Sequence, residues 1–434
     1  MLVEFSVENY RSIQEKQTLS MVAAEEETML MDSNTFPMPN SSDLRLVTSS
    51  VIYGPNASGK SNFLKAMQKL RSLVINSASR MQTGDKFGIE PFILNSETAK
   101  KPSSFEIIFI HKGIRYEYGI SADKERIYEE WLIAYPNEIQ QNWFSREYLP
   151  DNPEFQAHKG YKWSFGKGLK SPKKPIQKLV RYNSLFLSHA AQNTHPQLTE
   201  IFEYFRDNIN MLTIDVNSKT FTFEKCNEDH TFREQVVKLL NEADIGISNI
   251  RTELINIPEE VRQLIKSLIN QEIDNQAIEN HIDEPKAMRI VTIHKMNDSD
   301  NEIDELTMDE ESDGTQRLFD ISGPWLDVLE KGEVLIVDEL DRSLHPVLSK
   351  ALIKMFNNPE INKNNAQLIF TTHDTTLLDG DIFRPDQVWF TEKDNSMTKL
   401  YSLLDFRPRE NESLQKGYLL GRYGAIPFIN GLRI

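Results

Sequence analysis

Residues 54–61 read GPNASGKS, which fits G-x-x-x-x-G-K-[ST], the pattern of a loop that wraps phosphate. Backbone N–H groups around Gly54 and Gly59 can surround a β-phosphate at the positive end of a following helix, with Pro55, Asn56, Ala57 and Ser58 forming the turn between them. Lys60 has the length to reach between the β- and γ-phosphates, and the Ser61 hydroxyl suits a Mg²⁺ coordination position. The flanks agree with this reading. RLVTSSVIYG (45–54) is patterned as a strand entering the loop, and beyond Ser61 the residues Phe63, Leu64, Met67, Leu70 and Val74 recur at helical spacing. Strand, loop and helix in that order predict an α/β P-loop fold that binds ATP with Mg²⁺.

The second half of the chain supplies what such a loop lacks. In VLIVDELD (334–341) four apolar residues predict a buried strand that presents Asp338 and Glu339 at its end. Asp338 is placed to hold Mg²⁺ through water, and Glu339 to orient and deprotonate an attacking water. Two acids after a strand can merely begin a loop; their position after a complete phosphate loop gives this pair its meaning. AQLIFTTH (366–373) predicts a further buried strand, and His373 at its end can contact a γ-phosphate and so distinguish ATP from ADP. Glu339, His373 and Lys60 are therefore the candidate catalytic residues, and Ser61 and Asp338 the candidate metal ligands.

The composition suits a globular protein: 434 residues, 39% hydrophobic and 26% charged, with mean hydropathy −0.48. No run is long and apolar enough to span a bilayer, and MLVEFSVENYRSIQEK lacks a basic segment followed by an apolar one, so a cytoplasmic protein without membrane contact is expected. The single cysteine, Cys226, excludes an intrachain disulfide. A formal charge of −16 opposes nonspecific adhesion to a polyanion but leaves room for a local basic groove. One candidate is the stretch from Gln156 to Arg181, with eight Lys or Arg and no acid, which includes Tyr161, Trp163 and Phe165. It reads first as a charged loop on an acidic protein, next as a surface for an acidic partner, and last as a nucleic-acid contact.

SFEIIFIHKGIRYEYGI (104–120) predicts a hairpin around His111-Lys112-Gly113, with EEWLIAY (129–135) as a third strand. FREQVVKLLNEAD and PEEVRQLIKSLINQEIDNQAIENHI are patterned as helices. The expected organisation is 1–194 as the first half of an ATPase head, 195–287 as a helical insertion, 288–400 as the second half, and 401–434 as a tail. In DEESDGTQRL (309–318) the acids suit a solvated loop, and Ser312 and Gly314 could simply cap a helix.

Taken together, FSVENYRSI (5–13), GPNASGKS, DEESDGTQRL and VDELDRSLHP (337–346) resemble the heads of the ABC superfamily, specifically its soluble SMC-like and RecF-like ATPases. The resemblance implies an ABC-type head with an antiparallel β subdomain and the helical insertion. It makes Ser312, Gly314, Thr315 and Gln316 the core of a signature that reads a γ-phosphate across a dimer, and places Asp341, Ser343, His345 and Pro346 in the following D-loop. It brings Arg11 near nucleotide, and it requires a glutamine-bearing loop, for which Gln82 is a candidate. Ala57 departs from the glycine that many members carry. With QVWFTEKD (387–394) and the tail GYLLGRYGAIPF (417–428), the chain further resembles a bacterial family of stand-alone ATPases from abortive-infection and phage-defence operons, including AbiLi, RloA and the AriA component of the PARIS system. That implies an ATP-hydrolysing switch in a homodimer or higher homo-oligomer, a separately encoded nuclease or toxin effector, and a phage protein as trigger. A DNA-repair or nucleic-acid-remodelling ATPase, or a scaffold that binds ATP without turnover, is also compatible with the same motifs.

Overall fold

A computed structural model of the chain describes all residues except 42, 153–159, 213–216, 244–245, 257–285, 296–301, 410–411 and 428–434. It divides into two compact units, the first made of Met1–Thr213, Val328–Arg342 and Pro346–Ile434, the second of Ile214–Asp327 and Ser343–His345. In chain order the first unit begins with β1 (Leu2–Glu8), β2 (Gln17–Ser20), α1 (Met31–Asn34), β3 (Thr35–Pro37), β4 (Arg45–Val47), β5 (Ser49–Tyr53) and α2 (Lys60–Asn76). Next come β6 (Ser103–His111), β7 (Ile114–Ala122), β8 (Ile127–Tyr135), β9 (Gln141–Tyr148) and β10 (Tyr161–Phe165). They are followed by α3 (Lys174–Leu179), α4 (Phe186–Gln192), α5 (Leu198–Asp207) and β11 (Ile209–Leu212). The second unit holds α6 (Asn217–Glu228), α7 (His230–Glu242), β12 (Ile247–Asn256), β13 (Lys286–Lys295) and β14 (Glu302–Thr307). Helix α8 (Asp313–Lys331) starts there and ends in the first unit, which continues with β15 (Val334–Val337), α9 (Pro346–Phe356), β16 (Gln367–Thr371), β17 (Val388–Asp394), β18 (Met397–Ser402) and α10 (Leu414–Leu419).

The sheet that carries the site has the order β11-β15-β16-β5-β17-β18, parallel except for the β17–β18 pair. Every residue of β5, β15 and β16 is buried, as in a parallel sheet covered on both faces, and Ser49 and Gln367 among their polar members are hydrogen-bonded inside. The strand with the phosphate loop and the strand with Asp338 are separated by β16 alone, so their carboxyl ends open on one rim. Helix α2 buries Phe63, Leu64, Ala66, Met67, Leu70, Leu73 and Val74. At the far end of α8, Gly332 adopts φ +72°, the left-handed turn by which a helix commonly stops.

The second sheet of this unit is antiparallel, in the order β10-β9-β8-β7-β6-β1-β2. Its β6–β7 hairpin closes through Lys112 and Gly113, both at positive φ. The core between elements is rich in rings, with Phe109 stacked on Tyr204 at 4.1 Å. A buried ion pair lies inside it: Arg146 and Glu130 are 3.0 Å apart, and the Glu130 carboxylate also accepts the N–H groups of Phe186 and Leu187 at the start of α4. The tail packs on β17, where Tyr418 and Tyr423 surround Phe390 and the Tyr401 hydroxyl donates to Tyr423 O.

His189 in α4 is 5% exposed and shares a hydrogen bond with Ser184 Oγ. Burial, reinforced by Arg181 and Arg146, lowers its pKa to about 4. Since that lies below the unfolded value, its contribution to stability is complete above the unfolded pKa of about 6.5 and is lost as pH falls towards 4. Denaturant unfolding at about pH 7 and about pH 5 should show the wild type losing about 2 kcal/mol more than His189→Gln.

The second unit differs from the expected helical insertion over 195–287. Helix α5 and β11 belong to the first unit, and Ile247–Asn256 is a strand that pairs with β13 from Ile247↔His294 to Asn256↔Lys286. The β-branched residues Ile247, Ile250, Thr252 and Ile255 favour that pairing over a helix. The helix expected over PEEVRQLIKSLINQEIDNQAIENHI lies outside the described residues. Among those described, no helix is long and apolar enough to cross a membrane.

Candidate functional site

The phosphate loop is shaped by close approach of strands from the end of the chain. A Cβ on Gly54, at φ +154°, would meet Thr391 O at 2.3 Å, and one on Gly59, at φ +112°, would meet Thr398 Oγ1 at 2.1 Å. Glycine is thus required twice, by backbone angle and by space. Ala57 holds φ +62° at the exposed tip beside Asn56, a conformation that glycine adopts without strain. Ser58 turns its hydroxyl inward to Thr391 Oγ1 at 2.6 Å, which leaves only its backbone for a ligand. The Lys60 ammonium lies over the loop, donating to Gly54 O at 2.7 Å and to Pro55 O at 3.3 Å. Burial pulls it below the usual lysine range, offset in part by Asp338, Glu339 and Asp341.

Across the rim, Ser61 Oγ donates to Asp338 Oδ1 at 3.1 Å and Thr371 Oγ1 donates to the same oxygen at 2.7 Å. Thr371 Oγ1 in turn accepts the Glu339 N–H at 2.8 Å, so one hydroxyl sets both acids. Glu339 stands at φ +54°, an uncommon conformation for a non-glycine residue and a frequent one at functional sites. His373 is exposed at the end of β16, and its N–H lies 3.3 Å from each Asp341 carboxylate oxygen. The groups present fit a Mg²⁺-bound nucleotide: the Ser61 hydroxyl and the Asp338 carboxylate, the latter oriented by Thr371, form a hard-oxygen pair at the foot of a helix N-terminus, with a lysine over the loop.

Thr371, which sequence reading passed over, positions both acids without being placed to touch a nucleotide. Thr371→Val should lower turnover by about 10–100-fold. Nucleotide affinity without Mg²⁺, read by equilibrium binding, should stay unchanged; an equal loss there would mean that Thr371 supports the loop itself.

The turn after β1 reaches the site through a neighbour of the residue expected. Arg11 directs its guanidinium to Glu90, with Nε 3.4 Å from the carboxylate, and its N–H donates to Glu90 O. Ser12 makes the link instead: its hydroxyl accepts from Asn62 Nδ2 in the first turn of α2 and from Thr398 Oγ1, both at 2.8 Å. Thr398 N–H donates to Ser12 O as well. Gln82 sits in an exposed turn, hydrogen-bonded to Asp85 and Asn183. Ser12 and Thr391 lie within FSVENYRSI and QVWFTEKD without being singled out there, and no motif marks Thr398.

In the second unit, Ser312 caps α8 by accepting the Thr315 N–H at 3.1 Å, and its hydroxyl pairs with Thr315 Oγ1. Gln316 Nε2 donates back to Glu311 O at 2.9 Å, and a Cβ on Gly314 would lie 3.1 Å from Ser343 O. Glu311 is itself gripped from β13, by the Thr292 hydroxyl and by His294 Nε2, the latter at 2.7 Å. The acids ahead of Ser312 are therefore not all solvated: Glu311 anchors the turn that presents Ser312 and Gly314.

Residues 49–379 match the family model described as "AAA domain, putative AbiEii toxin, Type IV TA system". No curated protein matches the chain. Among solved structures, an SMC head domain from Thermotoga maritima aligns at 11% identity over 92% of this chain and 98% of that one, with a TM-score of 0.39. An Smc head with an extended coiled coil, bound to the C-terminal domain of ScpA and derived from Pyrococcus furiosus, aligns at 12% identity over 97% and 98%, with a TM-score of 0.36. The family match and the parallel sheet that carries the phosphate loop make the fold that of an α/β P-loop ATPase.

Proposed function

The chain belongs to the AAA-domain family matched over residues 49–379, and from that premise we propose that it is an ATP-hydrolysing switch of a bacterial anti-phage defence system. It would control a separate nuclease or toxin effector. The kinship with AbiLi, RloA and AriA belongs to the same proposal. The observation that carries the reading is the convergence of Ser61 and Thr371 on Asp338 with Glu339 beside it, an arrangement that serves Mg²⁺-dependent attack of water on a phosphate. Bound Mg²⁺ would neutralise charge on the phosphates, held through Ser61 and, by way of water, Asp338. The loop N–H groups and Lys60 would orient the β- and γ-phosphates. Glu339 would take a proton from water as its oxygen attacks the γ-phosphorus, the bond to the β-phosphate oxygen breaking to leave ADP and phosphate. His373 would read the γ-phosphate, and Ser12, next to Arg11 in the turn after β1, would support the loop.

In this reading two heads enclose two ATP molecules, and Ser312, Gly314, Thr315 and Gln316 of one head meet the γ-phosphate held by the other. ATP then favours the closed assembly because only that state supplies the second set of contacts. Ser312→Ala should cut turnover by about 10²-fold and abolish ATP-dependent assembly in analytical ultracentrifugation, with ATP binding by the isolated chain retained. Affinity capture from native cells tests the biological role. A stoichiometric nuclease-like partner supports it, whereas ATP-dependent retention of DNA without such a partner moves the assignment to nucleic-acid remodelling.

A further inference from the structure

Strand β10 ends the antiparallel sheet, with β9 as its strand neighbour. The Leu149 N–H donates to Gly160 O at 2.7 Å and the Gly166 N–H to Trp143 O at 3.0 Å. In an antiparallel ladder bonded pairs alternate, so residues 160, 162, 164 and 166 face β9. The N–H and C=O groups of Tyr161, Trp163 and Phe165 point the other way, and among the described residues none of these groups has a hydrogen-bond partner. A bare edge of this kind is a template for another strand.

The side chains say what kind of strand it would accept. Tyr161 is buried, and Trp163 and Phe165 are half-buried, packed against each other at 5.8 Å and against Phe186 at 5.5 Å each. Lys162 and Ser164 are exposed on the opposite face, where Lys162 has Glu147 of β9 as its only register neighbour. Lys173 Nζ donates to Gly166 O at 2.8 Å, which fixes an ammonium at the end of the strand, and Lys167 and Lys170 are exposed between them. No acid interrupts this segment.

We propose that the β10 edge binds an extended acidic peptide segment of a partner protein, which joins the sheet as an additional strand. Its backbone would complete the ladder at Tyr161, Trp163 and Phe165. Residues beside Lys162 would be acidic, and those beside Trp163 and Phe165 apolar, because neighbours in a sheet share faces. Pairing with β10 of a second copy would bring two basic segments together, which costs energy. Nucleic acid would find the rings of Trp163 and Phe165 already engaged in packing.

The experiment uses the full chain and a labelled peptide of alternating glutamate and valine, followed by fluorescence anisotropy and hydrogen exchange. The peptide should bind, more weakly as salt rises, and should slow amide exchange across Tyr161–Phe165. The combined Lys162→Glu, Lys167→Glu and Lys170→Glu variant should bind roughly tenfold more weakly with ATP binding unchanged. Absence of binding, equal binding of a lysine–valine peptide, or displacement by single-stranded DNA that gives the same protection would each overturn the proposal.

Discussion

Glu339→Gln is expected to lower ATP turnover by about 10²–10⁴-fold and to leave ATP binding in place. The substitution keeps the side chain's volume and removes its ability to take a proton. It also spares the hydrogen bond that fixes the residue, since Thr371 Oγ1 accepts from the Glu339 backbone. The Glu339 backbone, at positive φ, is tied by its N–H to Thr371 Oγ1 and by its carbonyl to the Arg342 N–H, neither of which the substitution changes. A variant that binds ATP without cleaving it should accumulate in the closed assembly, so its sedimentation coefficient should rise with ATP and stay high. Phosphate release and ultracentrifugation on one preparation read both effects. Turnover equal to wild type would remove Glu339 from the role of base.

The second large effect concerns the loop. Gly54→Ala should lower nucleotide affinity by about 10²-fold or more, because backbone strain of about 1–3 kcal/mol adds to a collision that cannot be relieved cheaply. The new methyl would lie 2.3 Å from Thr391 O, a backbone atom, as well as 2.5 Å from Thr391 Oγ1 and 2.7 Å from Ser58 Oγ. Gly59→Ala meets side-chain atoms of Thr398 instead, at 2.1 Å and 2.7 Å, and should do damage of similar size by displacing the Thr398–Ser12 link. Ala57→Gly is the natural control: it relieves a left-handed alanine at an exposed position and should raise stability by about 1 kcal/mol. Isothermal titration with ATP and thermal unfolding separate lost affinity from lost fold. Full affinity in Gly54→Ala would show that the loop can shift away from β17.

Much of the site could be read locally because its residues announce themselves by neighbours in sequence. GPNASGKS, the acids after VLIV and the histidine after LIFTT each stand beyond a fully buried strand, and the hairpin at Lys112-Gly113 follows from alternating strands on either side of a glycine that adopts positive φ readily. What escaped reading depends on distant partners. Thr371 is an unremarkable β-branched residue until β16 is laid beside β15, and Ser12 and Thr398 are separated by 386 positions in the chain. The family resemblance points to Arg11 in this turn, yet its smaller neighbour holds the phosphate-loop helix. In the second unit β12 was missed because polar residues blur its alternation, and only the long pairing with β13 commits it to a strand.

Strand β5 lies between β16 and β17, and the loop that follows it is packed by Thr391 and Thr398. During synthesis the GPNASGKS segment leaves the ribosome long before either flanking strand has been made. A nascent chain that ends before Thr398 therefore carries the motif without the walls that give it shape. The phosphate loop therefore takes its shape only once Thr398 has been made, more than three hundred residues after the motif itself.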